Sequence, residues 1–348
     1  MSILKSSTAL PTGVDSARRA LLKAAGGAAL AAPLLTLGGN VWAQAAAPAK
    51  LTPLRFAWNQ NSFCLASVAV ARDTGIFKKN GLDVSLINYE GTTDQLLESL
   101  ATGKAEAAVG MIHRWLKPLE SGFNVKIVAG LHGGCIRLVG YKAAGATSIA
   151  NLRGKTIGVR GLDQPSKHFF SVYLKKHGID PDKDVTWRVY QPNLLGLAAQ
   201  KGEVQAIAEF DPLLFTIERD SKDAFVELAS NISGEYHNRV CCVVGVGGEL
   251  VTKSRPIAAA VVKSLVEAYD WSADHHEEAA KIFLNYSTNV TQEELVKLYR
   301  TLNLHHHAVG VDLRDEITAF AQEFKELGVL KPGTDVNKFA DHVFRKVV

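Results

Sequence analysis

The chain has 348 residues, 47% of them hydrophobic and 21% charged, a balance that excludes the disordered, collagenous and membrane classes and supplies apolar material for more than one core. Its formal net charge of +4 is carried mostly by the first 45 residues, where Lys5, Arg18, Arg19 and Lys23 stand against Asp15 and contribute +3, leaving +1 for the rest. That remainder has no cluster of lysine and arginine interleaved with aromatics, so nothing is built to follow a phosphate backbone and nucleic acid is not an expected partner.

Residues 1–45 carry an export pattern rather than a folding one. Ser16-Ala17-Arg18-Arg19-Ala20-Leu21-Leu22-Lys23 leads into an apolar stretch from Ala24 to Leu37, and Ala43-Gln44-Ala45 offers the small residues a signal peptidase cuts beside. Paired arginines followed by Leu-Leu-Lys fit the twin-arginine type of signal. As a membrane span the stretch falls short of the roughly 20 residues a bilayer requires, and Gly26, Gly27 and Pro33 interrupt it. A mature periplasmic protein, cleaved near Ala45, is expected. Cys64, Cys135, Cys241 and Cys242 all lie in the mature part, where disulfides are permitted. Four cysteines are too few for a disulfide scaffold, none is spaced as CxxC, and a bond between the neighbours Cys241 and Cys242 would be strained.

From Pro53 onward β-rich and helical runs alternate, the pattern of an α/β domain with a largely parallel sheet. Strands are expected at Leu54 to Trp58, Asp83 to Tyr89, Glu106 to Gly110 and Val125 to Ala129. Between them, a helix from Phe63 to Asp73 stops at Gly75, and one opened by Thr92-Thr93 places Leu96, Leu97, Leu100 and Ala101 on one face before Gly103. A second cycle opens at Thr156 to Arg160. Its helix from Ser166 buries Phe169, Phe170, Tyr173, Leu174 and His177 and stops at Gly178; strands Asp184 to Tyr190 and Val204 to Ala208 then enclose a helix of Leu194, Leu197 and Ala198. Cys135 to Tyr141 and Val240 to Val246 bracket this cycle as crossings between two lobes. The tail is helical: Pro256 to Trp271, Glu277 to Asn285, a helix opened by the capping box Thr291-Gln292-Glu293-Glu294, and Asp315 to Leu327 closed by Gly328. The expected organisation is a signal over 1–45, a first lobe over 51–137, a smaller second lobe over 138–240, and a return to the first lobe with the C-terminal helices over 241–348.

Gly75-Ile76-Phe77-Lys78-Lys79-Asn80-Gly81-Leu82-Asp83-Val84 resembles a motif of the nitrate, sulfonate and taurine type of ABC-transporter solute-binding proteins, a family that also includes pyrimidine-precursor binders. Three further resemblances follow in the family's order: Ala101-Thr102-Gly103-Lys104-Ala105-Glu106-Ala107-Ala108, Asn151-Leu152-Arg153-Gly154-Lys155-Thr156-Ile157-Gly158-Val159 and Lys201-Gly202-Glu203-Val204-Gln205-Ala206. Glu106 and Gln205 stand where the family usually has Asp. The resemblance runs to about the Pro256 helix and is thinner in the tail. It implies a type II periplasmic-binding fold, with two α/β lobes joined by two crossing strands and a ligand closed between them. It further implies a monomeric receptor that is not an enzyme, needs no cofactor, and meets the membrane only through the permease of its ABC transporter.

Three expected helix starts follow strands and carry hydroxyl or amide residues: Asn61-Ser62, Thr92-Thr93 and Ser166. Free N–H groups and the positive end of the helix dipole suit a carboxylate, sulfonate or nitrate there, although ordinary capping is the commoner role of such residues. In the resembling family these loops face the cleft. Asn59, Gln60, His113, Gln164 and His168 lie beside the same loops as donors without fixed charge. Asp211, followed by Pro212, either orients a ligand ammonium or ends a strand.

Cys241-Cys242 falls at a place resembling the cysteine-rich, iron-binding motif of eukaryotic thiamine-pyrimidine synthases of the same fold. Only two cysteines of that motif are present, alternating on a strand, so two small buried hydrophobes are expected and no metal. The alternative, of a different class, is a metal-binding thiamine-precursor synthase using His113 or His132 with Cys135, Cys241 and Cys242; twin-arginine export, often used by proteins folded around cofactors, favours it. His275-His276 and His305-His306-His307 lack the spacing of a zinc site, and the triplet is expected in a loop after Leu304. Gly154-Lys155-Thr156 has Ile149 where a phosphate loop needs glycine, Gly245, Gly247 and Gly248 miss the dinucleotide pattern, and no GxSxG occurs. The sequence points to a receptor for a small anion.

Overall fold

The computed structural model describes residues 50–89 and 93–348; the expected export signal and Thr92 lie outside the described residues. In chain order the strands are β1 (Thr52–Trp58), β2 (Leu82–Asn88), β3 (Ala107–Met111), β4 (Val125–His132), β5 (Ile136–Tyr141), β6 (Thr156–Val159), β7 (Thr186–Val189), β8 (Ala206–Phe210), β9 (Phe225–Ser230) and β10 (Cys242–Gly247). The helices are α1 (Ala66–Asp73), α2 (Ile76–Lys79), α3 (Thr93–Ala101), α4 (Ile112–Glu120), α5 (Pro165–Lys176), α6 (Leu195–Gln200), α7 (Leu213–Asp220), α8 (Gly248–Lys253), α9 (Arg255–Asp274), α10 (His276–Phe283), α11 (Gln292–Tyr299), α12 (Gly310–Glu326) and α13 (Val336–Val343).

These strands form two five-stranded sheets of the same plan, ordered β2-β1-β3-β10-β4 and β7-β6-β8-β5-β9. In the first, β1 runs parallel to β2 and β3 while β10 lies antiparallel between β3 and β4. In the second, β6 runs parallel to β7 and β8 while β5 lies antiparallel between β8 and β9. Strands β3, β4 and β8 are buried along their whole length; β3 reads as an apolar run, as strands covered on both faces do, while β4 and β8 also bury Lys126, His132 and Glu209. Gly75, at φ +79°, ends α1 in the left-handed conformation that only glycine adopts without cost.

Two glycines seat a helix on the first sheet. A Cβ at Gly110 of β3 would sit inside the Trp115 indole, and Gly245 on the adjacent β10 faces the other edge of the same ring. Trp115 is fully buried, and its Nε1–H donates to the carbonyl of Thr93 at 2.9 Å, which fixes the start of α3 against the end of β3.

The chain passes between the sheets in the irregular segments before β5 and β10, not in those strands. The run from Cys135 to Tyr141 pairs with β8 and β9 inside the second sheet, and the run from Val240 to Val246 joins the first. Backbone groups of apolar strands must be paired when buried, so the ladders claim both runs and the Gly133-Gly134 link and residues 231–241 make the passage. Helix α4 was not expected: its apolar residues Ile112, Trp115, Leu116 and Leu119 have helical spacing, but Pro118 and the charges between them mask it. Strand β9 and helix α13 were also not expected. The C-terminal helices pack on the first sheet as expected, α9 against α1 and β4, and α12 against α4 and β4. Among the described residues no helix is long and apolar enough to cross a membrane.

Candidate functional site

A cavity of about 480 Å³, counting its mouth, opens at the C-terminal ends of the parallel strands. Asn59 and Ser62 reach it from the turn after β1, Thr93 from the start of α3, and Val109 to Met111 from the end of β3. From the second sheet come Ile136, Phe210 at the end of β8, and Gln164 and Pro165 at the start of α5. Ends of parallel strands are where open α/β sheets leave a crevice, because each chain must turn there into its helix. The main-chain N–H of Phe63 donates to the carbonyl of Asp211 at 3.3 Å, tying the first sheet's turn to the second sheet's strand end beside the cavity.

Of the residues singled out in the sequence, Asn59, Ser62, Thr93 and Gln164 line the cavity. Ser62 and Gln164 occupy the position before a helical turn without making a side-chain cap bond, so their polar groups are not spent on their own helices. Pro165 takes the first helical position of α5, where its missing N–H costs nothing, and Gln164, not Ser166, is therefore the cap residue. Thr93 Oγ1 accepts the N–H of Met111 at 3.1 Å and keeps its own O–H as a donor.

The others do not line it. Gln60 donates its N–H to Asn88 Oδ1 at 3.0 Å, and Asn61 is exposed with its N–H held by Asn59 Oδ1 at 2.9 Å. Ser166 is fully buried with an unpartnered hydroxyl. Asp211 accepts Arg137 Nη2 at 3.0 Å and the N–H of Phe215 at 3.0 Å, the arrangement of a strand end that opens α7. Its Arg137 partner also holds Glu218 at 2.8 Å. His113 sits in an aromatic box with ring centroids 5.0 Å from Phe169 and 4.6 Å from Phe320, both ring nitrogens unpartnered. Burial, reinforced by the charges of His168 and Arg239, drives its pKa well below the usual histidine range. His168 is pushed down to about 3 by burial and by Arg114 and Lys167. These two histidines are neutral packing residues in this structure.

The floor of the cavity is made of sulfur. All four cysteines are buried and unbonded, and all four line the cavity. Sγ of Cys135 lies 3.8 Å from that of Cys241, and Cys241 also receives Asn231 Nδ2 at 3.2 Å. Cys242 pairs in register with His132 across β10 and β4, and one ligand-type atom from each of Cys64, His132 and Cys242 lies within 4.8 Å of the others. Hydrogen bonds from Cys135 and Cys242, with the His132 charge, hold the Cys64 thiol well below its usual range. Burial disfavours the charged form of His132, but the negative charge on Cys64 and Cys241 outweighs it and lifts His132 to about 9. The sequence alternative names His113 or His132 with Cys135, Cys241 and Cys242; His113 sits instead in its aromatic box, and Cys64, which arrives from a separate turn with no spacing signal, is not part of it.

Among the described residues the cavity lining includes no lysine or arginine, so a solute there meets hydroxyl, amide and helix-start donors. No curated protein sequence matches the chain. Its structure is similar to the alkanesulfonate-binding protein SsuA of Xanthomonas axonopodis pv. citri, solved bound to MOPS, at 17% identity and a TM-score of 0.68 over 86% of this chain and 99% of that one. It is similar to the periplasmic nitrate-binding protein NrtA of Synechocystis PCC 6803 at 15% identity and a TM-score of 0.67, over 85% and 86% of the two chains. A Candida albicans gene product described as having the generic periplasmic binding protein fold matches at 16% identity and a TM-score of 0.67, over 85% and 97%. These likenesses show the fold, that of the periplasmic binding proteins. The model of the family described as NMT1/THI5 like matches residues 63–279, more than half the sequence and including the turn of Cys64, both passages between the sheets and most of the cavity wall; the chain belongs to that family.

Proposed function

We propose that the protein is a periplasmic solute-binding receptor that takes a small anion into the cavity between its two sheets and presents it to the permease of an ABC importer. The observation that carries this reading is the origin of the donors: Asn59, Ser62 and Thr93 come from the first sheet's side and Gln164 from the second's, around one cavity. The first N–H groups of α5 have no intrahelical acceptor, and with the positive end of its dipole they favour negative charge beside Gln164. With no lysine or arginine among the described lining residues, the setting suits a delocalised, weakly hydrated anion such as nitrate or a sulfonate. Solutes of these classes are named for two of the similar structures. Closure follows from contact with both sides, since a ligand that bridges them binds the closed form better than the open one. Export through the twin-arginine signal and cleavage near Ala45 complete the reading.

Thermal unfolding of the purified mature protein against a panel of nitrate, alkanesulfonates, carboxylates and pyrimidines tests it. A true ligand at 100 times its dissociation constant adds about 2.7 kcal/mol of stability. Stabilisation by one anion class is the expected outcome; a pyrimidine stabilising in place of every anion would overturn the anion assignment, and no response to any compound would count against the receptor itself.

A further inference from the structure

Each passage between the sheets ends in a cysteine, Cys135 just before β5 and Cys241 just before β10, 106 positions apart in the chain. Their sulfurs lie 3.8 Å from each other, buried and unbonded. Asn231 bridges the two. Its Oδ1 accepts the N–H groups of Cys135 and Ile136 at 2.8 and 2.7 Å, and its Nδ2 donates to the Cys241 sulfur at 3.2 Å. Its own N–H donates to the carbonyl of Ile136 at 3.1 Å. The chain before Cys135 is pressed against the same residue, since a Cβ at Gly134 would overlap the carbonyl of Asn231. Cys241 is held on both sides, donating its N–H to the carbonyl of His132 at 2.9 Å and accepting the N–H of Ile112 on its own carbonyl at 3.0 Å. Two thiols from distant parts of the chain are thus set against each other on anchored backbone.

We propose that Cys135 and Cys241 are a dithiol–disulfide pair, an oxidisable cross-link between the two passages at the floor of the cavity. A disulfide holds its sulfurs about 2.05 Å apart, so this pair has roughly 1.8 Å to close, and the anchored backbones leave that to rotation of the two side chains. The other cysteines are placed differently: Cys242 adjoins Cys241, where a bond would be strained, and Cys64 and Cys242 gather about His132. Both members of the pair line the cavity, so the oxidant is a small-molecule disulfide entering by its mouth. The Cys241 sulfur, which Asn231 Nδ2 stabilises as a thiolate, attacks one sulfur of that disulfide; the S–S bond breaks, and one half leaves and takes up the proton that Cys241 gave up. Cys135 then gives up its proton, attacks the Cys241 sulfur and releases the other half as a second thiol. Two electrons pass from the protein to the oxidant, two cysteine thiols becoming one disulfide while one disulfide becomes two thiols. The new bond closes a loop that contains all five strands of the second sheet and fixes the spacing of the chain's two links between the sheets.

Hydroxyethyl disulfide is the probe. The folded, reduced protein is incubated with it and quenched in acid, and the remaining thiols are alkylated in denaturant, counted by mass and located by peptide mapping. The expected product has lost two of its four thiols, carries Cys135 and Cys241 in one linked peptide pair, and returns to four thiols in dithiothreitol. Its unfolding temperature should be higher by roughly 3 to 6 °C, because a long loop is constrained in the unfolded chain. Cys64→Ser should cross-link as the wild type does, whereas Cys135→Ser and Cys241→Ser should form no internal bond and show no thermal shift. Should a variant fail to fold by circular dichroism, the peptide map and thermal shift of the wild type decide alone. Four free thiols after oxidation, a mixed disulfide that never exchanges to the internal bond, a bond between any other two cysteines, or a cross-linked form that unfolds no higher than the reduced one would each overturn the proposal. No solute is present in this assay, so its failure leaves the receptor reading standing, and a failed anion panel leaves the cross-link standing.

Discussion

His113 and His168 show how burial reverses what a residue's type suggests. Both stand beside strand-end loops in the sequence and invite a ligand role, yet His113 is enclosed by Phe169, Tyr236, Phe320 and Phe324 and has no partner for either nitrogen. Nothing in the local sequence announces that box, because its walls come from α5, α12 and the segment at Tyr236. The consequence is a pH dependence of stability. An unfolded histidine titrates near 6.5, whereas folded His168 titrates at about 3 and folded His113 well below its usual value. Below about pH 6.5 the unfolded chain binds protons at these two positions that the folded chain refuses, so their contribution to stability is fully present above that pH and is lost as pH falls toward 3, at up to about 1.4 kcal/mol per pH unit for each histidine. Urea unfolding at pH 7 and pH 5 should show the loss, and His113→Phe should flatten it; an identical pH dependence in the variant contradicts the assignment. Asn59, Ser62, Thr93 and Gln164 were flagged by their place between a strand end and a helix start, where a crevice opens, but Gln60, Asn61 and Ser166 hold the same kind of place and do not line the cavity, so position alone did not separate them.

Among the elements, those with local signals were readable and those defined by distant partners were not. The capping box is present as written: Thr291 Oγ1 accepts the N–H of Glu294 at 3.2 Å and Glu294 Oε2 accepts that of Thr291 at 2.9 Å. Thr291→Ala should cost about 1 kcal/mol of stability by chemical denaturation, and a loss below experimental error would mean the cap is redundant. Helix α4 had no such cap and carries Pro118, and β5 and β10 looked like crossings because their apolar runs sit between the two cycles; only the pairing of β5 with β8 and β9, and of β10 with β3 and β4, shows where they belong. The contact of α4 with the first sheet leaves no room for a side chain at Gly110. Gly110→Ala forces a methyl group into the Trp115 ring and should cost about 1 to 3 kcal/mol, the range for overpacking a filled core. It should also disturb the start of α3, because Trp115 holds Thr93. Unfolding equilibria for Gly110→Ala measure this directly, and unchanged stability would show that the ring is free to move.

At the scale of the molecule, two sheets of one plan meet at a cavity to which each contributes strand ends, and the receptor reading requires that both sides hold the solute. The two-lobed α/β architecture was legible from the alternation of elements and the four motifs in register; the convergence of Cys64, Cys135, Cys241, Cys242 and His132 was not, because it depends on how the turn after β1 meets two passages more than a hundred residues apart in the chain. Calorimetric titration of Thr93→Val and Gln164→Ala with the anion that stabilises the wild type tests the central claim. Each substitution removes a donor from one side and leaves its ligand partner desolvated at a cost of about 1 to 3 kcal/mol, or roughly five- to 150-fold in dissociation constant, while exposed Asn61→Ala leaves affinity unchanged. Weakening by both variants is the expected result; wild-type affinity in either one, with the protein folded, would contradict capture between the two sheets.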